Sequence, residues 1–303
     1  MAKLILVRIG IVLIGLVVIG LGRGLFFYRG FYSPPPGEMP SYESFTVPTA
    51  PTSEFTDNHT QGEGIILIDL AHKNDFEGKE LNVLLLRLVS RGLTIKYFDA
   101  KDDLKKELLA KVEEPPDGQV KVKPAAEELK PADAFIVVSP SLEFSKEEIK
   151  TVEEFVKGGG KVLFIADPTR SSQVNSLAIR FGLIFESDYL YNMKENEINY
   201  RNIFVSDFKE NDITKELKKI ALYTAGSISS DNASIAFVDQ NTFSSVIESG
   251  RKLAPLALAQ ESKVLALYDL TFITEPYNSI LDNNRLISNI ADWLIPPAKK
   301  AKP

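Results

Sequence analysis

From Ile9 to Gly22 the chain reads IGIVLIGLVVIGLG, without a charge or a proline. No polar face exists, so this run cannot be an ordinary surface helix with one side turned to a core. Leu4–Val7 and Leu25–Tyr28 extend it past Arg8 and Arg23, whose long stems can snorkel to lipid headgroups. A helix needs about 20 residues to cross the hydrocarbon core, and Ile9–Tyr28 supplies them. Phe26, Phe27, Tyr28, Phe31 and Tyr32 form an aromatic cluster suited to the interface. A cleaved signal peptide is the competing reading, but bulky aromatics stand where small residues would be needed for cleavage. Residues 1–30 are therefore expected to be an uncleaved transmembrane anchor.

Residues 31–63 follow as a stalk, opening SPPPGEMP and continuing VPTAPTSEFT. Such composition cannot bury a core and predicts a semi-extended spacer. Lys3 and Arg8 on one side of the span nearly balance Arg23 and Arg29 on the other, so charge does not set the orientation. The stalk tips the expectation towards an extracytoplasmic domain in the cell membrane.

The rest is ordinary globular chain. Of 303 residues, 44% are hydrophobic and 25% charged, enough to build a substantial core. A formal net charge of -6 gives no footprint for a phosphate backbone, so nucleic acid is not an expected partner. With no cysteine there is no disulfide, thiolate metal site or thiol nucleophile. His59 and His72 are the two histidines, which excludes a multi-histidine metal centre. Neither a metal nor a cofactor is expected.

Residues 64–295 alternate strand and helix patterns. GIILID (Gly64–Asp69) and AFIVVSP (Ala134–Pro140) read as buried strands of a parallel sheet, with LTIKYFD (Leu93–Asp99) and KVLFIADP (Lys161–Pro168) as its second and fourth strands. Between the first two, Lys79–Ser90 has helical spacing and stops at Arg91-Gly92. Asp102–Lys111 suggests a short charged helix, and residues 113–131 a polar excursion. Ser145 with Glu148 forms a capping box that opens the next helix, and Gly158–Gly160 ends it. Ser171–Phe181 suggests a further helix, and residues 186–231 a loop-rich stretch with short strands. Ser234–Asp239 reads as a strand, and Leu253–Ala259 with Lys263–Asp269 as an antiparallel hairpin. Asn283–Leu294 is a terminal amphipathic helix, stopped by Pro296-Pro297, and residues 296–303 form a basic tail. The sum is a flavodoxin-like, doubly wound, mostly parallel α/β sheet with a C-terminal hairpin and one N-terminal transmembrane helix.

Ligands in such sheets bind at the carboxyl ends of the strands. Asp69, His72 and Asn74 follow the first strand, Asp99 the second, Ser139 the third, Asp167 the fourth and Asp269 the last. Asp69, His72 and Asp269 suit a hydrogen-bonded histidine–carboxylate pair or a weak hard-cation site. Equally, aspartates after strands cap helices and fix turns. The glycine run at 158–160 follows a helix and precedes a strand, the reverse of a phosphate loop. A G-x-S-x-G elbow is absent.

Three stretches carry a family resemblance. They are ILIDLAHKNDF, DAFIVVSPSLEFSKEEIKTVEEFVKGGGKVLFIADP and KVLALYDLTFITEPYNSILDNNRLISNIADWL. In order and spacing they resemble the class I glutamine amidotransferase-like domains of membrane-anchored proteins, including auxiliary subunits of gliding-motility-type ABC transporters. The resemblance implies a flavodoxin-like fold. It also places Ala166-Asp167-Pro168 where true amidotransferases carry the nucleophilic cysteine, so glutaminase chemistry is not expected.

The leading expectation is a non-catalytic binding or scaffolding domain beside a transporter or other envelope membrane complex. Its ligand-binding set would be Asp69, His72, Asn74, Asp167, Asp269 and Asn284. The alternatives are a hydrolase or metal-assisted enzyme using the strand-end Asp/His cluster, and an accessory subunit packed through its glycine-bearing helix, where Gly20 and Gly24 permit close approach.

Overall fold

A computed structural model describes residues 2–27, 55–109, 130–196, 199–247 and 252–297. The chain divides into two units, Met1–Thr49 and Ala50–Pro303. The described part of the first is a single helix, α1 (Ala2–Phe27), of which Lys3–Phe26 is long and apolar enough to cross a membrane. Its aliphatic side chains, from Leu4 to Leu25, are more than half exposed.

In the second unit the main sheet has eight strands. They are β1 (Gly64–Asp69), β2 (Leu93–Phe98), β3 (Ala134–Val138), β4 (Lys161–Ile165), β5 (Asp207–Phe208), β6 (Ser234–Phe237), β7 (Leu256–Ala259) and β8 (Val264–Leu267). Their order is β2-β1-β3-β4-β8-β7-β6-β5. β2, β1, β3, β4 and β8 are mutually parallel, and β7, β6 and β5 extend the sheet antiparallel. The 2-1-3-4 start is the order of flavodoxin-like sheets, with β8 taking the place of a fifth parallel strand.

Strand residues alternate between two cores, as a pleated sheet with both faces covered requires. Ile66, Ile68, Ile136, Val138, Leu163 and Ile165 face one side, where α2 (Asn82–Ser90) and α6 (Asn283–Leu294) supply Leu84, Leu88, Leu286, Ile287 and Ile290. Leu67, Phe135, Val137, Val162 and Phe164 face the other. There α3 (Leu104–Leu109), α4 (Lys146–Lys157) and α5 (Asn175–Ala178) supply Leu104, Leu108, Val152, Phe155 and Leu177. Burying each such side chain stabilises by about 1.5–3 kcal/mol.

Local signals set the ends of these elements. The Ser145–Glu148 capping box is complete: Glu148 N donates to Ser145 Oγ (3.2 Å) and Ser145 N to Glu148 Oε2 (2.8 Å). α4 stops at Gly158, and Gly159 takes φ +102°. The β7–β8 hairpin turns through Gln260, Glu261 and Ser262, all at positive φ. Residues 184–244 add three two-stranded ribbons: Ile184–Phe185 with Ile228–Ser229, Leu190–Asn192 with Thr242–Ser244, and Asn202–Val205 with Ile220–Tyr223.

Three expectations shift. Lys79–Ser90 opens with a 3-10 turn (Gly78–Leu81) before α2 begins at Asn82. The helix expected over Ser171–Phe181 shrinks to α5 and a 3-10 turn ending at Gly182, φ +74°. Among the described residues, Phe55 and Asp57, inside the stretch that composition assigns to the stalk, already contact the domain. The excursion at 113–131 and the tail at 296–303 fall largely outside the described residues.

Candidate functional site

The loop after β1 turns back at Asp69, the strand's last residue, which is fully buried. Its carboxylate meets His72 Nδ1 at 2.9 and 3.0 Å and accepts from Asn74 Nδ2 at 3.1 Å. His72 is itself only 4% exposed. Its other nitrogen, Nε2, lies 3.5 Å from Glu148 Oε1, and its ring stacks on Phe144 at 3.7 Å. The histidine thus bridges β1 to the N-terminus of α4, with a carboxylate at each ring nitrogen. Burial opposes its charge, but the bond and charge of Asp69 and then Glu148 outweigh that, and its pKa is raised above the ordinary value. Glu148 responds in the opposite sense: burial opposes ionisation, yet Ser145 and the histidine lower its pKa.

β3 ends beside this cluster. Ser139 takes φ +39°, a strained backbone for a residue with a side chain. Its amide donates to Ile165 O (2.8 Å) and its carbonyl accepts from Asp75 N (2.9 Å), while Ser141 N and Leu142 N both donate to His72 O. Ser139 Oγ and Asn74 Oδ1 are buried without a hydrogen-bond partner. Arg170, in the loop after β4, donates to Asp75 O (2.6 Å) and to both oxygens of Glu80 (3.0 and 2.5 Å). This pair bridges the loops after β1 and β4 across the end of β3, which lies between them.

Asp167 and Asp269 form a second buried group. Leu267 pairs with Ile165, so the residues two positions further on come level at the ends of β8 and β4. Asp167 accepts from Thr169 N and Thr169 Oγ1 and from Leu270 N. Asp269 accepts from Tyr223 N (2.5 Å), Thr271 N (2.7 Å) and Phe272 N (3.3 Å). Complete burial, reinforced by the charge of Asp167, pushes the Asp269 pKa well above the usual carboxylate range.

Of the sequence candidates, Asp69, His72 and Asn74 therefore come together. Asp269 does not join the histidine as expected; its oxygens are taken by three backbone amides, and it stands with Asp167 instead. Asn284 lies in neither group, because α6 carries it to α2, where its Oδ1 accepts from Arg87 Nη2 (2.8 Å) and Asn278 Nδ2 (3.1 Å). Asp99 sits in an exposed turn opposite Lys101. Among the described residues, no three His, Cys, Asp or Glu side chains are placed to hold a metal ion. Glu148, Phe144, Glu80 and Arg170 are the partners that sequence reading missed. For Glu148 the signal existed, since a capping-box glutamate must lie over the first turn of its helix.

A doubly wound α/β domain with an antiparallel extension is what these elements define. No family model matches the sequence, and no curated protein matches it. Among solved structures, the mmIFT52 N-terminal domain is similar, with TM-score 0.57 and 14% identity, over 75% of this chain and 100% of that one. A ThuA-like protein from Parabacteroides merdae gives TM-score 0.42 and 11% identity, over 80% of this chain and 93% of its own. The exo-beta-1,4-mannosidase Op5Man5 from Opitutaceae bacterium strain TAV5 gives TM-score 0.37 and 11% identity, over 77% of this chain and 36% of that one. The first likeness concerns the fold alone, and the other two superpose too loosely to carry an argument.

Proposed function

We propose that this chain is a non-catalytic binding or scaffolding domain on a membrane anchor, working outside the cell membrane beside a transporter or another envelope complex. The observation that carries the reading is how the strand-end side chains are spent. Asp69, His72, Asp167 and Asp269 are buried, with their polar atoms bonded inside the domain, and Glu80–Arg170 closes across β3, so each acts as an internal tie. A general base or ligand-binding carboxylate must instead face a cleft.

Other surfaces suit a partner. A cavity of about 560 Å³ lies among Phe204, Lys219, Phe237, Asp239, Phe243 and Lys252. Met193, Tyr200, Phe243 and Val246 are large apolar side chains left 40–67% exposed. The amidotransferase-like resemblance, with Asp167 and no cysteine at the nucleophile position, agrees with a domain that has kept a fold without its chemistry. Affinity purification of the full chain in mild detergent tests the proposal. Stoichiometric co-purification of membrane subunits is expected, and recovery of the chain alone counts against it.

A hydrolase reading rests on two observations, the Asp69–His72 pair and the strained, unpartnered Ser139. Its test is labelling by a fluorophosphonate probe. Modification at Ser139 that disappears in Ser139→Ala would replace the scaffold reading with this one.

A further inference from the structure

Away from the strand ends, Arg87 and Arg91 on one face of α2 converge with Ser288 of α6 on a single carboxylate, Asp57. Arg87 Nη1 donates to Asp57 Oδ2 at 2.7 Å, and Arg91 to Oδ2 at 3.2 Å and Oδ1 at 2.9 Å. Ser288 Oγ adds a bond to Oδ1 at 2.7 Å. Arg91 is fully buried and is fixed from behind by Asp292 at 2.6 Å. Arg87 is held by Asn284, and its Nε is buried without a partner. Two guanidinium groups orientated in this way are a preorganised carboxylate receptor.

What fills the receptor is held by side chains rather than by burial. None of residues 55–62 is buried, and exposure alternates from Phe55 to Thr60 as in an extended strand that belongs to no sheet. Gly62 N donates to Arg91 O, and His59 Nε2 and Gln61 Nε2 reach Ser90 O. Phe55 lies beneath Arg87 and Arg285, with 4.9 and 5.5 Å to its ring centre. Removal of the segment would leave the core intact but two arginines facing one aspartate, Asp292. Vacated, the two guanidinium groups would keep one carboxylate, Asp292, between them, an arrangement suited to taking a second.

We propose that Arg87, Arg91 and Ser288 form a binding site for an acidic peptide, occupied in cis by a detachable strap, residues 55–62, whose Asp57 is the resident ligand. The peptide class is set by what already fits: a carboxylate with an aromatic ring two residues ahead of it, as in Phe55-Thr56-Asp57. The ring meets the outer faces of Arg87 and Arg285, and the carboxylate enters the fork. The site lies apart from the strand-end cluster and stands or falls independently of the scaffold reading.

A fluorescent peptide with the sequence of residues 52–63 is the probe, with full-length protein in detergent. Asp57→Ala vacates the cradle and should bind it saturably. The wild-type chain should bind at least about tenfold more weakly, since a strap docked nine-tenths of the time lowers apparent affinity by that factor. Changing the aspartate of the peptide to asparagine should abolish binding. Equal binding to both proteins, or none to a folded Asp57→Ala chain, overturns the proposal. Hydrogen exchange of the wild-type chain covers the case in which the variant fails to fold. The Gly62 amide, which is bonded to Arg91 O, should exchange well before those of β1 and faster still with excess peptide; exchange together with β1, or no change with peptide, would make the strap a fixed part of the domain and also overturn it.

Discussion

His72 is the residue whose chemistry most affects the behaviour of the fold. It holds a carboxylate at each ring nitrogen, and its folded pKa is raised, so the protonated form is the one the native state favours. The stabilisation is fully present below the unfolded value of about 6.5 and is lost as pH rises through the higher folded value. The melting temperature should therefore decline on the alkaline side of that window, and His72→Gln should flatten the decline. A variant that keeps the full wild-type slope would place the titration elsewhere. Asp269 acts through a different term. Replacement by alanine strands the buried amides of Tyr223, Thr271 and Phe272, each costing about 1–3 kcal/mol. A denaturant-unfolding loss of about 3 kcal/mol or more is expected for Asp269→Ala. These two residues also show what a sequence conceals. Asp69–His72 is separated by three positions and was legible as a pair. The separation of Asp269 from that pair depends on which strands are neighbours, and β3 and β4 both lie between β1 and β8.

At the scale of elements, the strands were the most legible because β1, β3, β4 and β8 are apolar runs buried along most of their length, while the edge strand β2 is buried only at Leu93 and Phe98. The four early strands, the hairpin and α6 lie where their patterns place them. Helix extent was less so: in Ser171–Phe181, Gln173 N donates to Pro140 O and Ser172 Oγ accepts from Val174 N, so the stretch ahead of α5 is spent on other bonds. The strap was illegible, since its composition is that of a spacer and its attachment is to α2 and α6, distant in sequence. Two glycines carry the tightest local requirements. A methyl on Gly160 would stand 2.3 Å from the Phe155 ring at the α4–β4 junction. Gly160→Ala should cost about 1–3 kcal/mol through overpacking, read as a shift in denaturant midpoint. Gly92 takes φ +86°, and an added methyl would meet Gly62 O at 2.5 Å. Gly92→Ala should therefore raise proteolytic cleavage between residues 55 and 62 while β1 stays protected. Asp57 itself titrates far below this range. Partial burial opposes its ionisation, but Arg91, Ser288 and Arg87 hold its pKa at about 2. The stabilisation it supplies is present above the unfolded value and is lost only as pH falls towards 2, so neutral pH changes leave the strap in place.

For the whole molecule, the described residues form an apolar helix and an α/β body with its own two cores. The body has strands and helices packed on both faces of one sheet, and α1 has its aliphatic side chains exposed from Leu4 to Leu25. Water does not tolerate that much uncovered hydrocarbon in a dispersed protein, so the helix must find lipid, other helices or a processing enzyme. The first two outcomes retain it and the third removes it. Intact mass distinguishes them. If α1 is an anchor, the protein expressed with its own N-terminus should sediment with membranes, resist carbonate washing, dissolve in detergent and weigh the full 33.7 kDa. If it is a signal sequence, the recovered species should be soluble and lighter by the mass of the helix. The aromatic residues from Phe26 to Tyr32 occupy the position a signal peptidase would need small, which is why the heavier, membrane-bound species is the expected one.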